Sequence, residues 1–471
     1  MPIQWTKEVD KYKEEIIQNL QQLVQIPSVL DEENTTEEAP LGQPVKEALD
    51  WMLTQGDKDG FTTRNTGNLA GHIEMGQGSE IVGILCHVDV VPAGDGWSYP
   101  PFEGVVENGR LYARGAIDDK GPTIAAYMAM KILQNLDVSF DKRVRMIVGT
   151  DEESKWRCVD HYFEHEEMPS IGFAPDADFP IIHAEKGIID FDLYVDKKLK
   201  DEKAPRMEMK SFVSGERYNM VPDRAAAVLI PILDQTYLLQ EFEEYLKEND
   251  LTGNYYIERG DLTIELYGKS AHAMEPDNGV NAGLHLLTFL ERFELDVNAH
   301  AFCQFAQTML HNDSRGTNLG LAGKDEISGD LTVNTGKIRY SKEEAYFGLN
   351  VRYPVTYDME KALAALTSML DQEKIKIENI DNSSPHHVDG DDPFIQTLLR
   401  VYEEQTNQKG ELLAIGGGTY ARSLQKGVAF GALFPGRDDV AHQKDEYIEI
   451  EDLLKATAIY TQAIYELACL K

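Results

Sequence analysis

Cysteine is sparse in this 471-residue chain: Cys86, Cys158, Cys303 and Cys469 lie far apart and form no Cys-x-x-Cys pair. That excludes a disulfide framework, a cysteine-based zinc knot and dithiol redox chemistry. Cationic residues are in deficit too, 45 Lys and Arg against 81 Asp and Glu, for a formal charge of −36. A surface of that sign repels phosphate backbones and anionic lipid headgroups, so neither nucleic acid nor a membrane surface is an expected partner. No apolar run is long enough to span a bilayer. The start, Met1-Pro2-Ile3-Gln4-Trp5-Thr6-Lys7-Glu8, lacks the basic and apolar parts of a secretory signal, and a cytoplasmic location is the expectation. Repeats, low-complexity linkers and collagen-like segments are missing as well. Hydrophobic residues still make up 42%, so the acidity does not signal disorder. The length exceeds one ordinary core and predicts at least two domains.

What is present is a series of apolar runs that end in possible metal ligands. Gly83-Ile84-Leu85-Cys86-His87-Val88-Asp89 reads as a buried strand with His87 at its carboxyl end. Asp89, two residues on, points the same way and can accept the second ring N–H of His87, while Cys86 faces the other side as a core thiol. Gly115-Ala116-Ile117-Asp118-Asp119-Lys120-Gly121-Pro122 precedes a helical apolar pattern, so Asp118 or Asp119 could be a plain N-terminal cap. Arg143 to Gly149 reads as a strand ending in Asp151-Glu152-Glu153, acids that repel one another unless solvent or cations intervene. Asp176 follows another short apolar segment, and His442 lies near the far end. Singly, these residues read as a turn aspartate, an acidic loop or a surface histidine. Their joint order, His, Asp, Glu-Glu, Asp, His, is what points to a two-metal hydrolase.

With these motifs the chain resembles the metallopeptidase family of carnosinases, aminoacylases, glutamate carboxypeptidases and succinyl-diaminopimelate desuccinylases. It is most similar to bacterial dipeptidases of the peptidase V type, through Leu85 to Gly94, Asp118 to Pro122 and Gly149 to Ser154. The resemblance implies that His87 and Asp176 hold one metal, Glu153 and His442 the other, and that Asp118 bridges them. Glu152 then takes the family's role of general base, with Asp89 behind His87. Two zinc ions are the implied cofactors, although manganese or cobalt also suit this donor set.

Ligands on both sides of a long intervening stretch make the expected catalytic domain discontinuous, residues 1–187 and 386–471, with 188–385 inserted as a lid. The expected fold is α/β: a zinc-peptidase-like domain with a mostly parallel central sheet, and an α/β lid built on an antiparallel sheet. Within the insert, Gly268-Lys269-Ser270-Ala271-His272 matches the histidine that stabilises the oxyanion in relatives. Asn219 and Arg352 match the substrate-binding pattern, and an arginine fork suits a free carboxylate. Gly416-Gly417-Gly418-Thr419, placed in the catalytic segment, offers backbone N–H groups for the same anion; its spacing is not that of a phosphate loop. The resemblance implies a monomer that hydrolyses dipeptides with free amino and carboxyl ends, and Asp119 is a candidate partner for the amine or an orienting group for the metals. An N-acyl-amino-acid deacylase with the same ligands, and a non-catalytic metal-binding protein, are the alternatives.

Overall fold

The computed structural model describes residues 3–136, 138–196, 205–231, 235–372 and 374–469. Two compact units emerge: Met1–Ala184 with His387–Ala414 and Gly418–Lys471, and Glu185–His386 with Ile415–Gly417.

The first unit is built on a mixed sheet. Its strands β1 (Thr62–Thr66), β2 (Ala70–Gly76), β3 (Ile81–His87), β4 (Arg143–Gly149) and β5 (Ile171–Ala174) follow the spatial order β1-β2-β4-β3-β5, continued by Gly427–Ala429. Parallel pairing occupies the centre: β3 runs parallel to β4 and β5, and Gly427–Ala429 parallel to β5. The β1/β2 and β2/β4 pairs are antiparallel. Every residue of β3 is buried, as expected of a central strand covered on both faces. The covering helices include α1 (Trp5–Asp10), α2 (Lys13–Val24), α3 (Gln43–Lys58), α4 (Lys120–Asn135) and α5 (Arg157–His165). The spacing of Ile16, Ile17, Leu20, Leu23 and Val24 predicts one helix over Glu8 to Val24; these apolar residues all fall on α2, and Glu8–Asp10 belongs to α1, because the N–H groups of Lys11 and Tyr12 turn back to Glu8 and Val9. Ile124, Met128, Ile132 and Leu133 of α4 are buried with Leu453, Ile459 and Ala463 of the C-terminal helix Ile450–Ala468.

The second unit carries an eight-stranded, wholly antiparallel sheet. Gly187–Val195 lies near one edge between Ala345–Tyr353 and Ile375–Ser383, and Thr252–Glu258 forms the other edge beside Asp261–Tyr267. Its core is separate, with Phe191, Phe212, Ile264, Leu287, Phe302 and Phe347 among its fully buried side chains. No helix among the described residues is long and apolar enough to cross a membrane.

Candidate metal centre

Parallel pairing brings three loop starts together. β4, β3 and β5 are neighbours running the same way, so His87 at the end of β3, Glu152 and Glu153 beyond β4, and Asp176 beyond β5 emerge at the same sheet edge. The carboxyl edge of parallel strands is where α/β folds place ligands. Asp118 reaches this edge from the turn before α4, across a cis Asp118–Asp119 peptide. His442 arrives from the C-terminal segment with a left-handed backbone, φ 61°.

Asp118 sits between the two histidines. Its Oδ1 is 3.0 Å from His87 Nε2 and its Oδ2 is 3.0 Å from His442 Nε2. His87 Nε2 also lies 3.6 Å from Asp176 Oδ1, and His442 Nε2 lies 3.0 Å from Glu153 Oε1. Donor atoms of His87, Glu152 and Asp176 fall within 4.8 Å of one another, as do those of Asp118, Glu153 and His442. Thus Glu153 faces His442, whereas Glu152 falls beside His87 and Asp176.

Asp89 has a wider part than sequence spacing indicated. The His87 Nδ1 hydrogen bond goes to the main-chain oxygen of Asp89 at 3.0 Å, with the carboxylate Oδ1 at 3.4 Å. The carboxylate instead accepts the backbone N–H groups of Glu152 and Glu153, at 3.2 and 3.1 Å. One aspartate therefore fixes both the imidazole and the acidic loop. Asp119 is fully buried and accepts the His87 N–H and the Thr123 hydroxyl. It occupies the cap position of α4 without a side-chain hydrogen bond to that helix end.

Carboxylates outnumber imidazoles here, and the proton affinities show the strain. Burial, reinforced by the charge of Asp176, raises Glu152 well above the usual carboxyl range. Burial also raises Glu153, and pushes Asp176 up to about 6. Burial would raise Asp118 as well, but hydrogen bonds from His442 and His87 outweigh it and hold that carboxyl far below the usual range. Burial opposes charge on His87, yet Asp176, Asp118 and Asp89 together keep its imidazole well above the ordinary value. Hydrogen bonds to Asp118 and Glu153 push His442 up to about 10. Asp119 Oδ1 is buried without a hydrogen-bond partner. Such a crowded oxygen and imidazole set fits divalent cations, which would neutralise the mutual repulsion.

Two residues escaped sequence reasoning. Arg114 and Glu446, 1% and 0% exposed, form an ion pair at 2.5 Å. The second Glu446 oxygen accepts the N–H groups of Ile117 and Asp118, and Arg114 Nη2 donates to the main-chain oxygen of His442 at 3.2 Å. The pair clamps the Asp118 turn to the His442 loop. Its members stand 332 positions apart, and the only signal available was their nearness in sequence to Asp118 and His442.

In the second unit, His272 lies on a partly exposed segment bridged to Met220. Its Nδ1 accepts the Met274 N–H at 3.2 Å, so the ring proton resides on Nε2. Burial, aided by the charge of Arg352, lowers its proton affinity, which favours that neutral form. Asn219 is exposed, and its main-chain oxygen accepts the Ala273 N–H, which holds it beside the His272 segment. Arg352 is buried, donating through Nε to Asn350 Oδ1 at 3.0 Å and through Nη1 to Gly416 O at 2.5 Å. The glycine run expected in the catalytic segment is divided: Gly416 and Gly417 belong to the second unit, Gly418 and Thr419 to the first. The Thr419 hydroxyl oxygen caps the short turn at Tyr420–Ser423.

An α/β scaffold that gathers carboxylates and imidazoles at the ends of parallel strands defines a metal-dependent hydrolase. The chain belongs to peptidase family M20/M25/M40, whose profile matches residues 83–466, and it is a metallopeptidase. It is 51% identical over 465 residues to a Bacillus subtilis (strain 168) protein named "Putative dipeptidase YtjP", covering 98% of this chain and 99% of that one. A Staphylococcus aureus (strain USA300) protein, also named as a putative dipeptidase, is 48% identical over 464 residues, with 98% and 99% coverage. Among solved structures, aminoacylhistidine dipeptidase from Vibrio alginolyticus is similar with a TM-score of 0.59 at 14% identity, covering 96% of each chain. Human carnosine dipeptidase 1 gives 0.55 at 14%, covering 98% of each. These two share the fold.

Proposed function

We propose that the protein is a dinuclear-zinc dipeptidase, hydrolysing dipeptides whose amino and carboxyl ends are both free. The observation that carries the two-ion reading is Asp118, with each oxygen turned to a different histidine Nε2 at 3.0 Å. In this reading His87 and Asp176 hold one ion, Glu153 and His442 hold the other, and Asp118 is shared. Manganese or cobalt would satisfy the same donors. When bound, the ions supply Lewis-acid polarisation and acidify water.

The chain's own groups do the remainder. Glu152, whose carboxyl has a raised proton affinity, accepts the proton of the attacking water and returns it to the leaving amine. His272, neutral with its proton on Nε2, donates to the developing oxyanion. Arg352, oriented by Asn350 and Gly416, joins Asn219 and the N–H groups of Gly417, Gly418 and Thr419 in binding the substrate carboxylate. In this proposal the second unit is the lid. We also propose a cytoplasmic monomer. The names of relatives at about half identity support dipeptides as substrates.

The test compares metal-restored release of the same C-terminal amino acid from a free dipeptide and its N-acetyl counterpart, after chelation. Faster cleavage of the free dipeptide is expected. Preference for the acetylated compound would move the assignment to an N-acyl-amino-acid deacylase, and no cleavage of either would reject both.

A further inference from the structure

Helix α5 carries a cluster that the proposed chemistry does not use. Along His161-Tyr162-Phe163-Glu164-His165 the donors stand at i, i+3 and i+4, so they share one helix face. Tyr162, between them, points the other way: it is buried and its hydroxyl pairs with His72. Two histidines one turn apart on a helix form a ready chelate for zinc-class ions.

The three side chains stand close enough together to share one ion. One donor atom from each of His161, Glu164 and His165 lies within 4.8 Å of the others, and the imidazole centroids are 4.3 Å apart. His165 Nδ1 is 2.8 Å from the main-chain oxygen of His161. A carbonyl only accepts, so in the neutral ring Nδ1 carries the proton and Nε2 presents its lone pair. This is the arrangement by which metal-binding histidines are oriented. Neighbouring acids are already paired, Glu166 with Arg64 at 2.7 Å and Glu167 with Arg143 at 2.5 Å. By contrast, neither the Glu164 carboxylate nor the His161 ring nitrogens take a hydrogen bond or ion pair among the described residues. Gly67 makes room for His161: a Cβ there would stand 2.6 Å from Nε2.

We propose that His161, Glu164 and His165 form a separate metal site on the exposed face of α5, binding one zinc-class transition ion. Two imidazoles and a carboxylate favour such an ion over magnesium or calcium, which prefer all-oxygen sets. Three protein donors leave a coordination position for water. Because α5 begins at Arg157, which is tied through Asp151 to the acidic loop, occupancy stiffens the helix that follows Glu152 and Glu153. The ligands themselves lie outside the proposed catalytic set.

The experiment loads the full-length protein with Zn²⁺ at buffered free concentrations and counts zinc per chain by elemental analysis, for wild type, His165→Ala, Glu164→Gln and His161→Ala/His165→Ala. Dipeptide turnover is followed in parallel. Wild type should bind about one zinc more than the double variant, with the single variants weakened by at least about tenfold, a loss that even outer partners cause at metal sites. Turnover should be the same in all, which distinguishes failure here from failure of the dipeptidase reading. Equal zinc content and equal zinc-induced thermal stabilisation in wild type and the double variant would overturn the proposal. His165 is exposed, so its single variant remains informative if the double variant folds poorly.

Discussion

Replacing Glu446 tests whether the buried clamp positions the proposed metal ligands or only stabilises the fold. The Glu446 to Arg114 distance is 2.5 Å, with both side chains excluded from water. At an effective dielectric of about 20, unit charges roughly 4 Å apart attract by about 4 kcal/mol, most of which offsets the cost of desolvating them. Glu446→Ala strands the Arg114 charge and leaves the Ile117 and Asp118 N–H groups without their acceptor, so a loss of about 3–5 kcal/mol in fold stability is expected. Only the fraction that moves Asp118 and His442 reaches the proposed metal site. Removing outer partners typically weakens metal affinity by about 10–100-fold, or about 1.4–2.8 kcal/mol. Glu446→Gln keeps a carbonyl for the two N–H groups and should lose less. Competition against a fluorescent zinc chelator reads affinity, and urea unfolding reads stability. The expected affinity order is wild type, then Gln, then Ala. If Ala lowered the unfolding midpoint while zinc affinity stayed within about twofold, the clamp would be structural only and the positioning role refuted.

Glu152→Gln should retain both ions yet lose about 10²–10⁴-fold in turnover; near-normal turnover with full metal content would remove Glu152 as the base. His272→Ala should lower turnover by about 10²–10³-fold without changing metal content, and a change of less than a few fold would end its oxyanion role. For pH, the His442 imidazole in the metal-free protein is raised to about 10 by Asp118 and Glu153. Its charged pairing therefore stabilises the fold fully below the ordinary imidazole range and is lost as pH rises through about 10. An ion needs the unprotonated ring, so binding near neutral pH should release at least about one proton, and affinity should climb with pH. Calorimetry in buffers of different ionisation heat measures this, and zero proton release would contradict the pairing.

Much of the site was legible because each candidate ligand closes a local pattern. His87 ends an all-apolar run, Glu152 and Glu153 end another, and Asp118 precedes the Pro122 helix start. Strand period and helix period are properties of short stretches, so β3, β4 and α4 could be read from composition alone. The break between α1 and α2 was not readable, because the apolar spacing of α2 does not report where the backbone N–H groups before it turn back. Nor was the split of the glycine run between the two compact units, which rests on contacts between residues far apart in the chain.

By itself, the sequence determined the strands and helix that carry the candidate ligands, the chemical identity of those groups and the family, since these rest on residue type and short spacing. Only tertiary structure decided which groups meet. Asp118 faces two histidines that lie 31 positions before it and 324 after it by residue number. Asp89 turned its carboxylate to the acidic loop, and Arg114 found Glu446. Partners so distant along the chain are chosen by sheet order and burial, where a polar group excluded from water must find its complement or remain costly.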